Sequence, residues 1–144
     1  MIRRAAPADI PALVALETVF PTDRMSARNF QDLLRRGRGS VLVYEDDGAV
    51  RGDAVVLYRR NSPTARIYSL VVEPRQRGRG IARQLLAAVE TEARERDCRT
   101  LRLEVRPDNT QALRLYDHLG YTVERRLEQF YEDGSPALRL SKIL

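Results

Sequence analysis

The 144-residue chain predicts an α/β (α+β) fold on a mixed central sheet of about seven strands, in the order β-α-α-β-β-β-α-β-α-β-β. Three observations carry this reading. Ile67 to Val72, the helical stripe Ile81, Ala82, Leu85, Leu86, Val89 and Ala93, and the alternating run Thr100 to Arg106 read as strand, helix and strand. That sequence of elements predicts a right-handed parallel crossover. Asp46-Asp47-Gly48 and Asp133-Gly134 are turn signals between extended segments, which place antiparallel hairpins on both sides of the crossover.

Taken in order, Ile2 to Ala5 forms a short first strand, and Pro7-Ala8-Asp9 opens a helix carrying Ile10, Leu13, Val14 and Leu16 and running on through Glu17 to Val19. Phe20-Pro21 breaks it. Ser26 then caps a second helix with Phe30, Leu33 and Leu34 inward and Gly37 at its end. Strands follow at Val41 to Tyr44, at Ala54 to Tyr58 and into Val72, the last apolar on both faces like a covered central strand. After the long helix, Leu101, Leu103 and Val105 point one way from their strand, and Arg102, Glu104 and Arg106 the other. Asp108, with Gln111 three residues on, caps a last helix that Gly120 stops. Tyr121 to Tyr131 and Ala137 to Ile143 close the chain as a hairpin.

The length suits a single domain over residues 1–144 with one substantial core. No apolar run approaches a membrane span, and Met1-Ile2-Arg3-Arg4 leads into no signal-peptide core, so the expected location is the cytoplasm. One cysteine, Cys98, and one histidine, His118, argue against disulfides and metal catalysis, and no metal is expected. The net charge of +5 raises nucleic acid as a partner, but of 25 basic residues only Lys142 is a lysine. The arginines are scattered and accompanied by acids, which speaks for composition bias and a solvated surface over a nucleic-acid face.

The most informative stretch is Val71-Val72-Glu73-Pro74-Arg75-Gln76-Arg77-Gly78-Arg79-Gly80-Ile81-Ala82, at the junction of a strand and the long helix. Two glycines in a first helical turn each cost about 1 kcal/mol relative to alanine, so a compensating purpose is expected. Bare backbone lets a ligand lie against the chain, and the open N–H groups of a helix N-terminus attract an anion. Arg75, Arg77 and Arg79 add positive charge. A phosphate-bearing ligand follows. A Walker loop is excluded because no lysine and hydroxyl follow Gly80, and a dinucleotide fingerprint because Arg83 occupies its last glycine position.

The remaining R-x-x-G-x-G arrangement, Arg75 to Gly80, resembles the acyl-CoA pyrophosphate loop of the GNAT superfamily of N-acetyltransferases. Leu103-Glu104-Val105-Arg106, followed by Asn109, Ala112, Leu115-Tyr116 and Gly120-Tyr121, is similar to the L-E-V-R…N-x-x-A-x-x-L-Y-x-x-x-G-[FY] block of bacterial ribosomal-protein-alanine N-acetyltransferases. The likeness is dense over residues 66–123. It implies the GNAT acyl-CoA N-acyltransferase fold, acetyl-CoA as cosubstrate, and a protein or peptide N-terminus as acceptor. It further implies that the backbone at Leu70, Val71 and Val72 pairs with pantetheine and that Arg77, Gly78, Arg79, Gly80, Ile81, Ala82 and Arg83 hold the pyrophosphate. Asn109 takes the place of a further coenzyme contact, Glu104 of the proton acceptor and Tyr116 of the proton donor. Thr22, where relatives often carry tryptophan, and Phe130 to Gly134 depart from the pattern, and both segments would border the acceptor pocket.

Read from the residues alone, Glu104 is either a general base or a cross-strand ion pair, and Tyr116 either an acid or a core tyrosine bonded to a carbonyl. Asn109 and Tyr116 lie seven residues apart, on one helix face and about 10.5 Å apart along its axis. Acyl transfer from a thioester to an amine needs a base for the ammonium proton and an acid for the departing thiolate, which a carboxylate and a phenol can supply. Cys98, at the far end of the long helix, is not expected to be a nucleophile, and His118 faces away from Tyr116. Tyr131 either packs in its strand or clamps a peptide N-terminus. Rival functions are acetylation of a small amine or a lysine, and a non-catalytic acyl-CoA sensor.

Overall fold

A computed structural model describes residues 1–144. Its strands are β1 (Ile2–Arg4), β2 (Gly39–Asp46), β3 (Ala49–Tyr58), β4 (Thr64–Val72), β5 (Thr100–Val105), β6 (Thr122–Leu127) and β7 (Ala137–Ile143). The helices are α1 (Ile10–Leu16), α2 (Ala27–Arg36), α3 (Ile81–Glu95) and α4 (Thr110–His118). The strands form one sheet in the order β1-β2-β3-β4-β5-β7-β6, antiparallel throughout except where β4 pairs parallel with β5. The expected element order and crossover are therefore present.

Two apolar layers sandwich the sheet. On one face Ile81, Leu85, Leu86 and Val89 of α3 and Tyr116 of α4 meet Ala54, Val56, Ile67, Leu101 and Leu103. On the other face Ile10 and Leu13 of α1 and Phe30 of α2 meet Val41, Val43 and Val55. Ser26 caps α2 through Asn29 N–H at 3.1 Å, with the Asn29 side chain returning to the Ser26 N–H, and Gly37 ends the helix at φ +68°.

Five expectations need correction. The first helix is shorter than expected, since Glu17–Val19 forms a separate 3-10 turn. β3 begins at Ala49, directly after the Asp47-Gly48 turn, because the hairpin ladder continues to Asp46. Asn109, not Asp108, caps α4 by accepting the Ala112 N–H at 3.2 Å. β6 stops at Leu127; Gln129 takes a positive φ and the chain leaves the sheet until Ala137. β4 is not covered on both faces, for Tyr68 is exposed and Leu70 and Val72 are half-buried at a cavity.

That last difference creates the site. β4 and β5 pair only from Thr64 with Thr100 to Ile67 with Leu103, and beyond this point the ladder stops. Tyr68 is the extra residue of a bulge against β3, since Val55 faces Ser69 and Val56 faces Ile67. The two strands thus open a gap at the end of the sheet from which the chain runs into α3.

Candidate active site

A cavity of about 880 Å³ fills the gap, within the size range of small-molecule and cofactor sites. Its floor is the unpaired half of β4, Leu70, Val71 and Val72; one end is the turn into α3, the other the Phe20–Asp23 loop with Phe130 and Tyr131. Of the residues singled out from the sequence, Leu70, Val71, Val72, Arg77, Gly78, Gly80, Ile81, Ala82, Arg83, Glu104, Asn109 and Tyr116 all line it. Arg79 does not: its guanidinium turns away to Asp46 at 3.2 Å and to the Gln76 side chain.

Gly78 and Gly80 have φ of +84° and +78°, a region costly for residues with a β-carbon. A β-carbon built on either would meet no heavy atom within 4 Å. The glycines therefore precede the helix rather than sit in its first turn, and they leave open space over the backbone. Gly80 is the N-cap of α3 and supplies no side-chain acceptor, so the first N–H groups of a 15-residue helix face the cavity without a cap. These features fit a bound diphosphate.

Tyr116 is buried against Tyr121, edge to face with ring centroids 5.5 Å apart. Its hydroxyl borders the cavity and carries no carbonyl bond of the kind a core tyrosine needs, and burial raises the phenol well above its ordinary range. A thiolate released in the same dry surroundings gains basicity for the same reason.

Glu104 is a cross-strand ion pair and also a cavity residue. Its side chain is 3% exposed; Arg66 Nε of β4 donates to Oε1 at 2.7 Å and Arg139 Nε of β7 to Oε2 at 2.9 Å. At the other end of the cavity the sequence singled out Thr22, Tyr131 and the segment after Phe130, but not the contacts that join them. Arg106 donates to Asp133 at 3.1 Å and to the Thr22 hydroxyl at 2.9 Å, with its guanidinium 4.2 Å from the Tyr131 ring centre. Asp23, at φ +59°, donates its N–H to Glu132 at 2.9 Å and accepts the Glu132 N–H at 3.1 Å. The two departing segments, around Thr22 and after Phe130, are thereby clasped together over the cleft. Burial pushes the Tyr131 phenol up to about 12.

Glu17 and Ser69 also line this end, and the sequence carried one faint signal for Glu17. It extends the stripe of Ile10 and Leu13 at helical spacing, so a charge falls on a buried face. Cys98 is buried away from the cavity, where desolvation raises its thiol, and His118 sits exposed at the rim. No helix is long and apolar enough to cross a membrane.

Comparison with known proteins follows the same outline. Residues 10–121 match the family model described as acetyltransferase (GNAT) family. An uncharacterized N-acetyltransferase of Methanocaldococcus jannaschii is 36% identical over 101 residues, which are 69% of this chain and 64% of that protein. An N-alpha-acetyltransferase of Arabidopsis thaliana is 39% identical over 74 residues, 51% of this chain and 39% of the relative, so the chain spans less than two thirds of either relative's length. Among solved structures, Ard1 from Thermoplasma volcanium superimposes with a TM-score of 0.92 at 30% identity, covering 100% of this chain and 97% of that one. The ribosomal-protein-alanine N-acetyltransferase from Brucella melitensis gives 0.86 at 30% identity, covering 100% and 99%. The family model runs through the split strands, the glycine turn and the tyrosine helix alike, and by that match the chain belongs to the acetyltransferase (GNAT) family.

Proposed function

We propose that this protein is an N-acetyltransferase that moves acetyl from acetyl-CoA directly to a primary amine, the α-amine of a protein or peptide N-terminus. The observation that carries the proposal is the cleft between β4 and β5, lined by uncapped backbone at the head of α3 and by a buried, unbonded phenol. Supporting it, the Arabidopsis relative is an N-alpha-acetyltransferase and the Brucella structure a ribosomal-protein-alanine N-acetyltransferase.

When bound, acetyl-CoA supplies an activated acyl group as its thioester. The backbone of Leu70, Val71 and Val72 receives the pantetheine as an added strand, since main-chain groups left without a ladder partner accept an amide-bearing chain in extended form. Gly78, Gly80, Ile81, Ala82 and Arg83 take the diphosphate on their N–H groups, with Arg77 adding charge and Asn109 a further contact. Arg79 contributes only its backbone, its side chain being engaged with Asp46. Tyr116 holds a proton at its hydroxyl and gives it to the departing sulfur. The acceptor enters between the Phe20–Asp23 loop and Tyr131, where aromatic faces and carboxylates meet a positively charged N-terminus. Glu104 faces that position with both oxygens on arginines, and Glu17 stands on the same wall.

The test presents acetyl-CoA with a panel of N-terminal peptides, lysine peptides and small amines, and identifies products by mass spectrometry. Acetylation confined to α-amines supports the proposal. Preference for lysine or a small amine reassigns the acceptor, and coenzyme binding without any product makes the protein a sensor.

A further inference from the structure

The wall beneath the acceptor loops carries a carboxyl pair that the chemistry above leaves unused. Glu17 is 1% exposed; its Oε1 accepts the Met25 N–H at 2.7 Å and its Oε2 accepts the Ser69 hydroxyl at 2.9 Å. Ser69 immediately precedes Leu70 on the open half of β4, so its hydroxyl oxygen sits next to the proposed pantetheine track while its proton points at Glu17. Asp53 of β3 is 0% exposed and neither of its carboxyl oxygens has a hydrogen-bond partner. The ladder sets Val55 opposite Ser69 and Asp53 opposite Val71, which makes Asp53 and Ser69 diagonal neighbours on the sheet face under α1 and α2.

The groups facing Glu17 are Asp53 from β3, Ser69 and Tyr68 from β4, and Arg24 and the Met25 N–H from the loop into α2. Arg24 is the only cation among them; its guanidinium donates to the Phe20 and Thr18 carbonyls and acts on Glu17 through space alone. Burial raises the Glu17 carboxyl above its ordinary range, against the opposing Met25 and Ser69 bonds and the Arg24 charge. A desolvated carboxylate with no cation hydrogen-bonded to it suits a proton acceptor at neutral pH. Glu104 has the reverse, two guanidiniums on two oxygens.

We propose that Ser69 and Glu17 form the relay that deprotonates the acceptor amine, and that Glu104 is a positioning residue holding Arg66 and Arg139. The inference rests on the acetyl-transfer reading of the site. The acceptor ammonium passes one proton to Ser69 Oγ as the Ser69 hydroxyl proton moves to Glu17 Oε2. Glu17 becomes a neutral acid and the amine gains its lone pair. The nitrogen then bonds to the thioester carbon, the C–S bond breaks and the sulfur takes the Tyr116 proton. The phenolate recovers the second proton of the new amide nitrogen. One proton remains on Glu17 and leaves to solvent, which balances ammonium plus thioester against amide, thiol and a proton.

The relay predicts a pH signature that a structural role would not produce. An α-amine has a pKa of about 7.7–8.0, so at pH 9.5 the acceptor arrives already neutral. Peptide acetylation is measured from pH 6.5 to 9.5 for wild type, Glu17→Gln, Ser69→Ala and Glu104→Gln, with coenzyme A affinity by calorimetry. Expected is a loss of about 15- to 30-fold in kcat/KM at pH 6.5 for Glu17→Gln and Ser69→Ala, the inverse of the neutral fraction of such an amine, that closes to within about threefold at pH 9.5, with coenzyme affinity unchanged. Glu104→Gln should show a deficit independent of pH. Should Glu17→Gln fail to fold, Ser69→Ala, which removes one oxygen, decides alone. A deficit in Ser69→Ala that is constant with pH, or absent, overturns the relay, as does a pH-dependent deficit confined to Glu104→Gln. A wild type that acetylates no amine at any pH overturns the acetyl-transfer reading itself.

Discussion

Gly80→Ala separates the two demands that this position meets, an unusual backbone conformation and an unobstructed surface. At φ +78° a β-carbon costs about 1–2 kcal/mol. Gly37, at φ +68° at the end of α2, is a matched control, because a β-carbon there also meets nothing within 4 Å and the residue does not line the cavity. Both alanine variants should therefore lose a similar 1–2 kcal/mol, a fall in Tm of roughly 3–8 °C for a chain of this size. Only Gly80→Ala puts a methyl group where the diphosphate would rest against the N–H groups that open α3. Hydrogen bonds to a charged group contribute about 1.5–3 kcal/mol, so displacing one bond of this kind should weaken coenzyme A about 10- to 150-fold. Titration calorimetry gives the affinity directly. A thermal scan gives it independently, since coenzyme at 100 times its Kd raises wild-type stability by about 2.7 kcal/mol and should raise the variant far less. Wild-type affinity in Gly80→Ala, or an equal loss of affinity in Gly37→Ala, would refute the argument that bare backbone at the head of α3 holds the phosphates.

Other outcomes follow from single contacts. Arg79→Ala should change coenzyme affinity by less than about 1 kcal/mol, as its side chain forms a half-exposed pair with Asp46 outside the cavity; calorimetry measures it. Tyr116→Phe should lower kcat by about 10² to 10⁴ in a thiol-release assay and leave coenzyme affinity intact, because the ring contact with Tyr121 persists and only the acid is lost. Arg106→Lys keeps the charge but loses the fork and the Tyr131 stack, about 1–2 kcal/mol, and should raise acceptor KM about 5- to 30-fold while coenzyme affinity holds, by steady-state kinetics. Asp53→Asn should stabilise the fold at pH 7: burial and the Glu17 charge push the Asp53 carboxyl well above the usual carboxylate range, so this group's own contribution to stability is fully present below about pH 4 and is lost as pH rises through the folded-state value. Denaturant titrations at pH 4 and pH 7 should show the gain only at the higher pH.

The parts of the molecule that were legible in the sequence are those built from local pattern. The stripe from Ile81 to Ala93, the alternation from Leu101 to Val105, the Ser26 cap and the turn at Asp47-Gly48 each express a rule that acts within a few residues. The glycine turn at the head of α3 belongs with them, because glycine marks a backbone requirement. Glu104 shows where local pattern ends. Its alternation placed it on the polar face, but its partners lie 38 residues upstream and 35 downstream, and only the strand order brings Arg66 and Arg139 to its two oxygens. Asp108 and Asn109 are both good caps by type. Backbone geometry at the end of the loop chose the second, and no property of the two side chains could have decided it. Asp53 was passed over because the apolar run starts one residue later, at Ala54; the strand in fact reaches back to Ala49, and the sheet face that Asp53 occupies is covered by α1 and α2.

The two ends of the cleft thus rest on different kinds of interaction, and the arginine content belongs to the second. The end proposed for the coenzyme depends on φ angles and open N–H groups, which charge substitutions elsewhere scarcely touch. The acceptor end is a set of guanidiniums that each tie two elements together: Arg66 and Arg139 draw β4 and β7 onto Glu104 of β5, and Arg106 joins the Thr22 loop to Asp133 while covering Tyr131. A lysine ammonium could make one of the Arg106 contacts but not a hydroxyl bond, a carboxylate bond and a ring stack together, because these need a flat group with donors on several edges. The excess of arginine over lysine, which by itself identifies no partner, accordingly has a local consequence. It fixes the Thr22 loop and the segment after Phe130 through interactions whose geometry is directional, so the shape presented to the proposed acceptor is set before it arrives.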